Sequence, residues 1–479
     1  MHDDLARLAV IDRCLKAWPP RLSGFRISAA VLARTLSPSR DSVPQHMRLS
    51  YLFLSFLMGS AAHGETCEPL KADAASTLTL MVALQRTRDC HPEVRAAAGA
   101  LAAVGADLIT STQSPNPQLT LGAGSVGRDV GNGSLWNKTF DHQVRVDQTI
   151  ERGGKPALRR AAAEALREAS RADLADALRR ARLSVAQGYF ELTAALARRD
   201  ETAAALDLAN DAQRAQNLRV KAGDAAPIDA TRLTLDAVRV QADLRQAEAD
   251  VHAARVQLAT MLGAELSVDV LRPVDRWAPA NVLPLFSSPV EPSSADLRPD
   301  VLAAQMRLNA AEQARALAQA QRVRDVSVGL QLDRWPVSAT NASGTGNTVS
   351  VSLSVPLFVR HGLEGEIARA EADVANAREA LRRAQLSAQS DLAQARSRWA
   401  AAAARRRLAS EELAPAAERV AAGAELAYRR GATSLLDVLD ARRSLRAAHI
   451  ERINAEADGA KATVELEAAS FLLPPPATP

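Results

Sequence analysis

Between residues 349 and 357 apolar and polar residues alternate: Val349, Val351, Leu353, Val355 and Leu357 are separated by Ser350, Ser352, Ser354 and Pro356. A period of two puts the two sets on opposite faces of a β-strand. A second strand pattern, Val326-Ser327-Val328-Gly329-Leu330, lies upstream, and the turn-rich loop 341–347 (NASGTGN) separates the two. The first half of the chain carries a weaker version: Leu119, Leu121 and Ala123, the loop 131–134, then Val144 and Val146. The pattern therefore predicts two hairpins. Elsewhere the period is helical. From Pro156 to Arg219 there is no proline and the one glycine is Gly188, which predicts a single helix about 95 Å long at roughly 1.5 Å per residue. Within it Leu174, Leu178, Ala181, Val185, Gly188, Leu192 and Ala195 step by four and three, a coiled-coil seam. Ile367, Ala370, Val374, Ala377, Leu381, Ala384, Ala388, Leu392, Ala395 and Trp399 repeat the design. Pro415 has no counterpart in the first half and predicts a break or kink there.

These elements recur at a fixed spacing. Arg152, Gly154, Gly223 and Asp229 match Arg360, Gly362, Gly431 and Asp437, each 208 residues on, and Leu119-Thr120-Leu121-Gly122 matches Val326-Ser327-Val328-Gly329 at 207. The chain is an internal duplication. Each half reads as a helix, a strand pair, a very long helix, a tip and a returning helix. The boundaries are 65–270 for the first repeat, 271–297 for a proline-rich linker, 298–471 for the second repeat and 472–479 for a proline-rich tail. Gly153-Gly154-Lys155 lacks the rest of a phosphate-binding loop and reads as a strand-to-helix turn whose glycines permit positive φ.

Composition narrows the class. With 47% hydrophobic, 24% charged and 3% aromatic residues, the chain is neither disordered nor a bundle of membrane-spanning helices. Its formal charge of +4 invites a nucleic-acid reading, until the N-terminus is considered. Met47-Arg48 precedes a short apolar run, 49–58, and then small residues up to Gly64, the layout of a secretory signal peptide, 47–64. Residues 1–46 are then a mis-assigned extension. The first 64 residues hold 8 of the 59 basic and 4 of the 55 acidic groups, leaving 51 of each and a mature chain of zero net charge. No nucleic-acid partner is expected. Export also changes the reading of the strands: strands of about ten residues with valine on one face and serine on the other suit a bilayer barrel with a polar lumen. Four strands cannot close a barrel, and an open edge in lipid costs several kcal/mol per unpaired group, so the chain must oligomerise. Dimer and trimer give eight and twelve strands, of which the wider leaves a useful channel. Of the cysteines that survive processing, Cys67 and Cys90, sequence leaves a disulfide, two free thiols and lipidation of Cys67 open.

At this point the residues resemble the TolC family of trimeric outer-membrane efflux ducts over about residues 75–471. The resemblance rests on the duplicated layout, on Arg298-Pro299-Asp300 opening the second half, on VPLF at 355–358, and on the tip segments RVKAGDAAPID (219–229) and YRRGATSLLDVLDA (428–441). IERGGKPALR (150–159) looks most like the CzcC-like heavy-metal branch. The resemblance implies a mainly α fold with a transmembrane β-barrel: a homotrimer giving four strands per chain to a twelve-stranded barrel and long helices to a periplasmic tunnel. It implies a passive duct in the outer-membrane lipid, partnered by a periplasmic adaptor and an inner-membrane pump of the proton-driven resistance-nodulation-division type. The alternative is a periplasmic adaptor or coiled-coil scaffold, which would normally carry one hairpin set in β-rich domains.

No catalytic constellation, cofactor motif or metal site emerges: His91, His142, His252, His361 and His449 are scattered without ligand-like spacing. Asp437 and Asp440 share a helix face, and three copies would form two carboxylate rings on a threefold axis. They match the family's tip aspartates that narrow the closed tunnel, although a helix start at Ser434 explains Asp437 as well. The first half keeps Asp229 but has Arg232 opposite Asp440, which suggests an inter-helix ion pair at the gate. Gly223 and Gly431, flanked by Lys221 and Arg430, are expected to form tight tips that dock the adaptor. If the leader reading is right, N-terminal sequencing of the exported protein will find a start near residue 65, and no mature chain will contain Trp18 or Phe25.

Overall fold

The computed structural model describes residues 78–124, 141–263, 271–275, 277, 298–335 and 346–471. The expected leader, the loop 131–134, most of the loop 341–347, Cys67 and the tail 472–479 lie outside them. Two helices come first, α1 (Leu80–Cys90) and α2 (Pro92–Thr112), divided where Pro92 opens the second. Cys90 is disulfide-bonded, with its partner outside the described residues. The hairpin strands β1 (Gln118–Gly124) and β2 (Asp141–Ile150) precede the long helix α3 (Lys155–Lys221) and the returning helix α4 (Pro227–Met261). The second half repeats this order with α5 (Pro299–Ala320), β3 (Val326–Trp335), β4 (Gly346–Ser354), α6 (Glu364–Arg407), α7 (Ala414–Arg429) and α8 (Leu435–Ala469).

α3 runs for 67 residues without interruption, about 100 Å at the ordinary helical rise. It follows Gly153 and Gly154, both at positive φ as the turn requires. Its predicted seam is the buried stripe: Ala181, Val185, Gly188, Leu192 and Ala195 are buried, while Leu174 and Leu178 are half-buried. Tyr189 and Phe190 fill the centre of the core edge to face, with ring centroids 5.9 Å apart. Leu78, Leu258, Leu262, Leu271 and Val464 close around them. The Tyr189 hydroxyl donates to the Leu78 carbonyl at 3.0 Å and accepts the Asp275 N–H at 3.2 Å. Here the first residues of the proline-rich stretch pack into the core. Leu271 is fully buried and Pro273 forms a parallel bridge with Leu78, because an apolar Leu at its start supplies more burial than the prolines deny.

α6 is far less covered. Val374, Ala388 and Ala395 are its buried residues, and Trp399, expected on the seam, is exposed. Alanines hold α6 close to its neighbours, and the bulky indole lies outside that contact. The break expected at Pro415 is present as a π turn, Leu408–Leu413, from which α7 starts with Pro415 in its first turn. Proline lacks an N–H and its ring crowds the carbonyl four residues back, so the widened turn relieves both faults.

The two hairpins join into one antiparallel sheet of order β1-β2-β3-β4. β4 stops at Ser354, short of the predicted Leu357, since Pro356 has no donor for the ladder. Register places Leu119, Val146, Leu330 and Val351 in one row across all four strands and Leu121, Val144, Leu332 and Val349 in the next. All eight are exposed. The intervening rows, Thr120-Arg145-Gln331-Ser350 and Gln118-Asp147-Gly329-Ser352, lie on the other face. Across these central rows one face is therefore apolar and the other polar, the arrangement of a lipid-facing barrel wall. In outer membranes, Ser352→Cys is expected to react with a membrane-impermeant maleimide and Val351→Cys to resist it. Equal labelling would show that this face does not lie in lipid.

Candidate functional site

The polar face of the sheet is one part of the site. Arg145 forks onto Asp147 through Nε and Nη2 at 2.7 and 2.8 Å, and Nη2 also reaches Ser352 Oγ at 3.3 Å. This bridge passes over Gly329, where an added Cβ would sit 2.5 Å from Asp147 Oδ1 and 2.4 Å from Ser352 Oγ. Gln331 donates to Asp333, and Thr149 bonds Ser327 across β2 and β3 at 3.0 Å. Each strand thus lines the polar face with hydroxyl, amide or charged groups, several of which bond one another.

The helical tips are the second part. In the first, Gly223 N–H donates to Val220 O at 3.1 Å and Asp224 N–H to Arg219 O at 2.8 Å; in the second, Gly431 N–H donates to Tyr428 O at 2.9 Å and Ala432 N–H to Ala427 O at 2.8 Å. Both are the paired bonds of a Schellman cap, which needs a left-handed residue at its turn. Gly223 and Gly431 supply it with φ of +81° and +72°. The two tips restart differently: α4 begins with Pro227 in its first turn, and α8 with a capping box. There Ser434 Oγ accepts the Asp437 N–H at 3.3 Å, and Asp437 Oδ2 accepts from Ser434 N at 3.0 Å and from the Ser434 hydroxyl at 2.8 Å. Hydrogen bonds from Thr433 and then Ser434 hold the Asp437 carboxyl below its ordinary range.

The structure brings the remaining gate candidates into view without joining them within one protomer. Asp440 is exposed one turn beyond Asp437 and has no side-chain partner among the described residues. Arg232 donates to Asp229 at 3.2 Å, one turn back on its own helix. No inter-helix pair between Arg232 and Asp440 is present within the protomer, where Arg232 is held by the carboxylate at i−3. Lys221 and Arg430 are exposed beside their glycines. Among the described residues no group of three or more His, Cys, Asp or Glu is arranged to hold a metal ion.

Two features went unread in the sequence. Leu218 and Ile228 flank the first tip and are 67% and 56% exposed; Leu426 and Leu436 flank the second at 52% and 58%. Each pair is related by the same 208-residue offset, a signal that was available. The second hairpin is also strapped to the first: Arg443 meets Asp236 at 2.9 Å, Arg446 meets Asp243 at 3.0 Å, and Arg219 donates to the Tyr428 hydroxyl at 3.2 Å. No sequence spacing signals these contacts, because they depend on which helix faces of the two hairpins turn toward each other.

This geometry has relatives. The family model described as outer membrane efflux protein matches residues 83–264 and 292–470. The cobalt-zinc-cadmium resistance protein CzcC of Cupriavidus metallidurans is 24% identical over 417 residues, covering 85% of this chain and 94% of that protein. Among solved structures, the outer-membrane channel OprN superposes with a TM-score of 0.68 at 22% identity, covering 84% of this chain and 91% of the other. The outer membrane protein VceC of Vibrio cholerae gives 0.64 at 20% identity, covering 81% and 95%. The adaptor alternative is set aside, since a model covering both halves describes an efflux channel. With two long hairpins, an amphipathic four-stranded sheet and a family match across both repeats, this chain belongs to the outer membrane efflux protein family, whose TolC-like members are channels of the outer membrane.

Proposed function

We propose that three copies of this chain form a passive duct that carries divalent heavy-metal cations from a periplasmic adaptor and a proton-driven inner-membrane pump of the resistance-nodulation-division type to the exterior. The observation that carries the reading is the four-stranded sheet with an exposed apolar face and two open edges, β1 and β4, which in lipid demand strands from neighbouring copies. The helices support it: α2 exposes Ala96, Ala98, Gly99, Ala100, Ala102, Ala103 and Ala106, a smooth face suited to close helix packing. The cargo follows the relative named for cobalt, zinc and cadmium resistance. Outer membranes solubilised in mild detergent should yield a trimer by native mass spectrometry that dissociates in SDS. A monomer in the periplasmic fraction would sink the reading. For the cargo, deletion of the chain should sensitise cells to cobalt, zinc or cadmium; unchanged tolerance to all three would remove the metal assignment and leave the duct.

In this duct the tips dock the adaptor and close the channel. Gly223 and Gly431 set the turns, Lys221 and Arg430 present charge, and the exposed Leu218, Ile228, Leu426 and Leu436 give each tip an apolar contact of the kind that anchors interfaces. Asp437 and Asp440, with Asp229 and Arg232 on the facing hairpin, form the constriction. Because Asp437 already serves the helix start, Asp440 is the cleaner probe. Asp440→Ala should reduce cation selectivity and block by divalent cations in planar bilayers while leaving the capping box intact. Its depressed carboxyl lets Asp437 keep its charge further into acid than an ordinary aspartate, so its contributions to the helix start and the ring are present at neutral pH and are lost as pH falls through that lowered value. Unchanged selectivity in an Asp437→Ala, Asp440→Ala double variant would reduce both to residues of the helix start.

A further inference from the structure

Where the sheet meets the helices, three chain connections converge: β2 to α3, α5 to β3, and β4 to α6. Hydrogen bonds, an ion pair and a cation–π contact hold them together. Arg152 N–H donates to Asp325 Oδ1 at 2.9 Å, Lys155 Nζ reaches the same oxygen at 2.8 Å, and Arg322 Nε donates to the Gly362 carbonyl at 3.0 Å. Arg324 stacks its guanidinium 5.7 Å over the Phe358 ring. Three acidic groups here are already committed, and the exposed Glu366 in the first turn of α6 is outnumbered by the arginines around it. Asp325 takes Lys155, Glu151 takes Arg159 at 2.7 Å, and Glu364 accepts the Gly362 N–H at 2.9 Å. The side chains of Arg152, Arg324 and Arg360 are exposed and have no carboxylate partner among the described residues. Between them stand exposed apolar groups: Leu357 at 69% and Val359 at 82%, with Ile150 and Val323 also exposed. Surplus positive charge beside exposed aliphatic side chains is an arrangement water does not favour and a lipid headgroup region does.

We propose that this rim binds the headgroup of an anionic phospholipid of the phosphatidylglycerol type, in the leaflet on the helical side of the membrane. The inference rests on the membrane-barrel reading of the sheet. The aliphatic residues continue the apolar face past the end of the strands and enter the acyl region, while the arginines reach the phosphate. A guanidinium pairs with phosphate through two parallel N–H bonds, which suits it to this ligand.

The test uses the full trimer in vesicles, with Leu357→Trp as reporter and the parent protein as the fluorescence baseline. Quenching is compared for brominated phosphatidylglycerol and brominated phosphatidylcholine, each diluted in the same unbrominated lipid. Phosphatidylglycerol should be preferred about fivefold for each arginine engaged. The preference should fall toward parity in Arg152→Gln, Arg324→Gln, Arg360→Gln and, in the unmutated rim, as salt is raised. Equal quenching by both lipids would overturn the rim site and leave the barrel standing. Absence of quenching by either would overturn the barrel reading and the rim together.

Discussion

A backbone N–H or C=O left unpaired in hydrocarbon costs several kcal/mol, and the outer edges of β1 and β4 each present a row of such groups. The sheet has already committed itself to lipid, since its apolar rows are exposed on one side and its other face is too polar to form a core. One chain cannot satisfy both conditions. Oligomerisation is thus a consequence of strand number and facing, and the sparse burial of α6 shows the helical part to be similarly incomplete alone.

Below the sheet the stabilising logic changes. The helices are built on alanine, with the larger side chains concentrated around Tyr189 and Phe190. That cluster gathers the start of the described chain, the middle of α3, the end of α4 and the first residues of the proline-rich stretch around one phenol. Away from it, burial is thin and neighbouring helices are held partly by ion pairs. Exposed pairs contribute only about 0 to 1 kcal/mol each, so straps such as Arg443–Asp236 order the second hairpin relative to the first without locking it. Elements that must move are drawn from such weakly held regions. The two tips are closed by the same paired cap bonds at equivalent positions.

Charge is placed by zone. Along the polar wall Arg145 and Asp147 pair with each other, while Asp333 is held by the neutral Gln331 amide. At the tips Asp440 is unpaired, and where sheet meets helices the surplus is basic. Pairing removes long-range influence, whereas unpaired groups act on whatever lies opposite.

The duplication, the strand parity, the unbroken long helix and the break at Pro415 follow from sequence alone, because each is set by local periodicity or by the covalent limits of proline and glycine. Gly223 and Gly431 were legible for the same reason: a helix that must turn back at once needs a residue at positive φ. Asp437 was legible as a helix start but not as one member of a bonded trio with Thr433 and Ser434. Tertiary structure decided the rest. It turned Leu271 into the core, left Trp399 outside the seam, gave Arg232 to Asp229 on its own helix, and strapped α8 to α4 through Arg443 and Arg446. The placing of Trp399 and the straps of Arg443 and Arg446 depend on the rotation of one long helix about its own axis relative to another. Alanine-rich seams specify that rotation weakly in sequence, and only the packed structure fixes it.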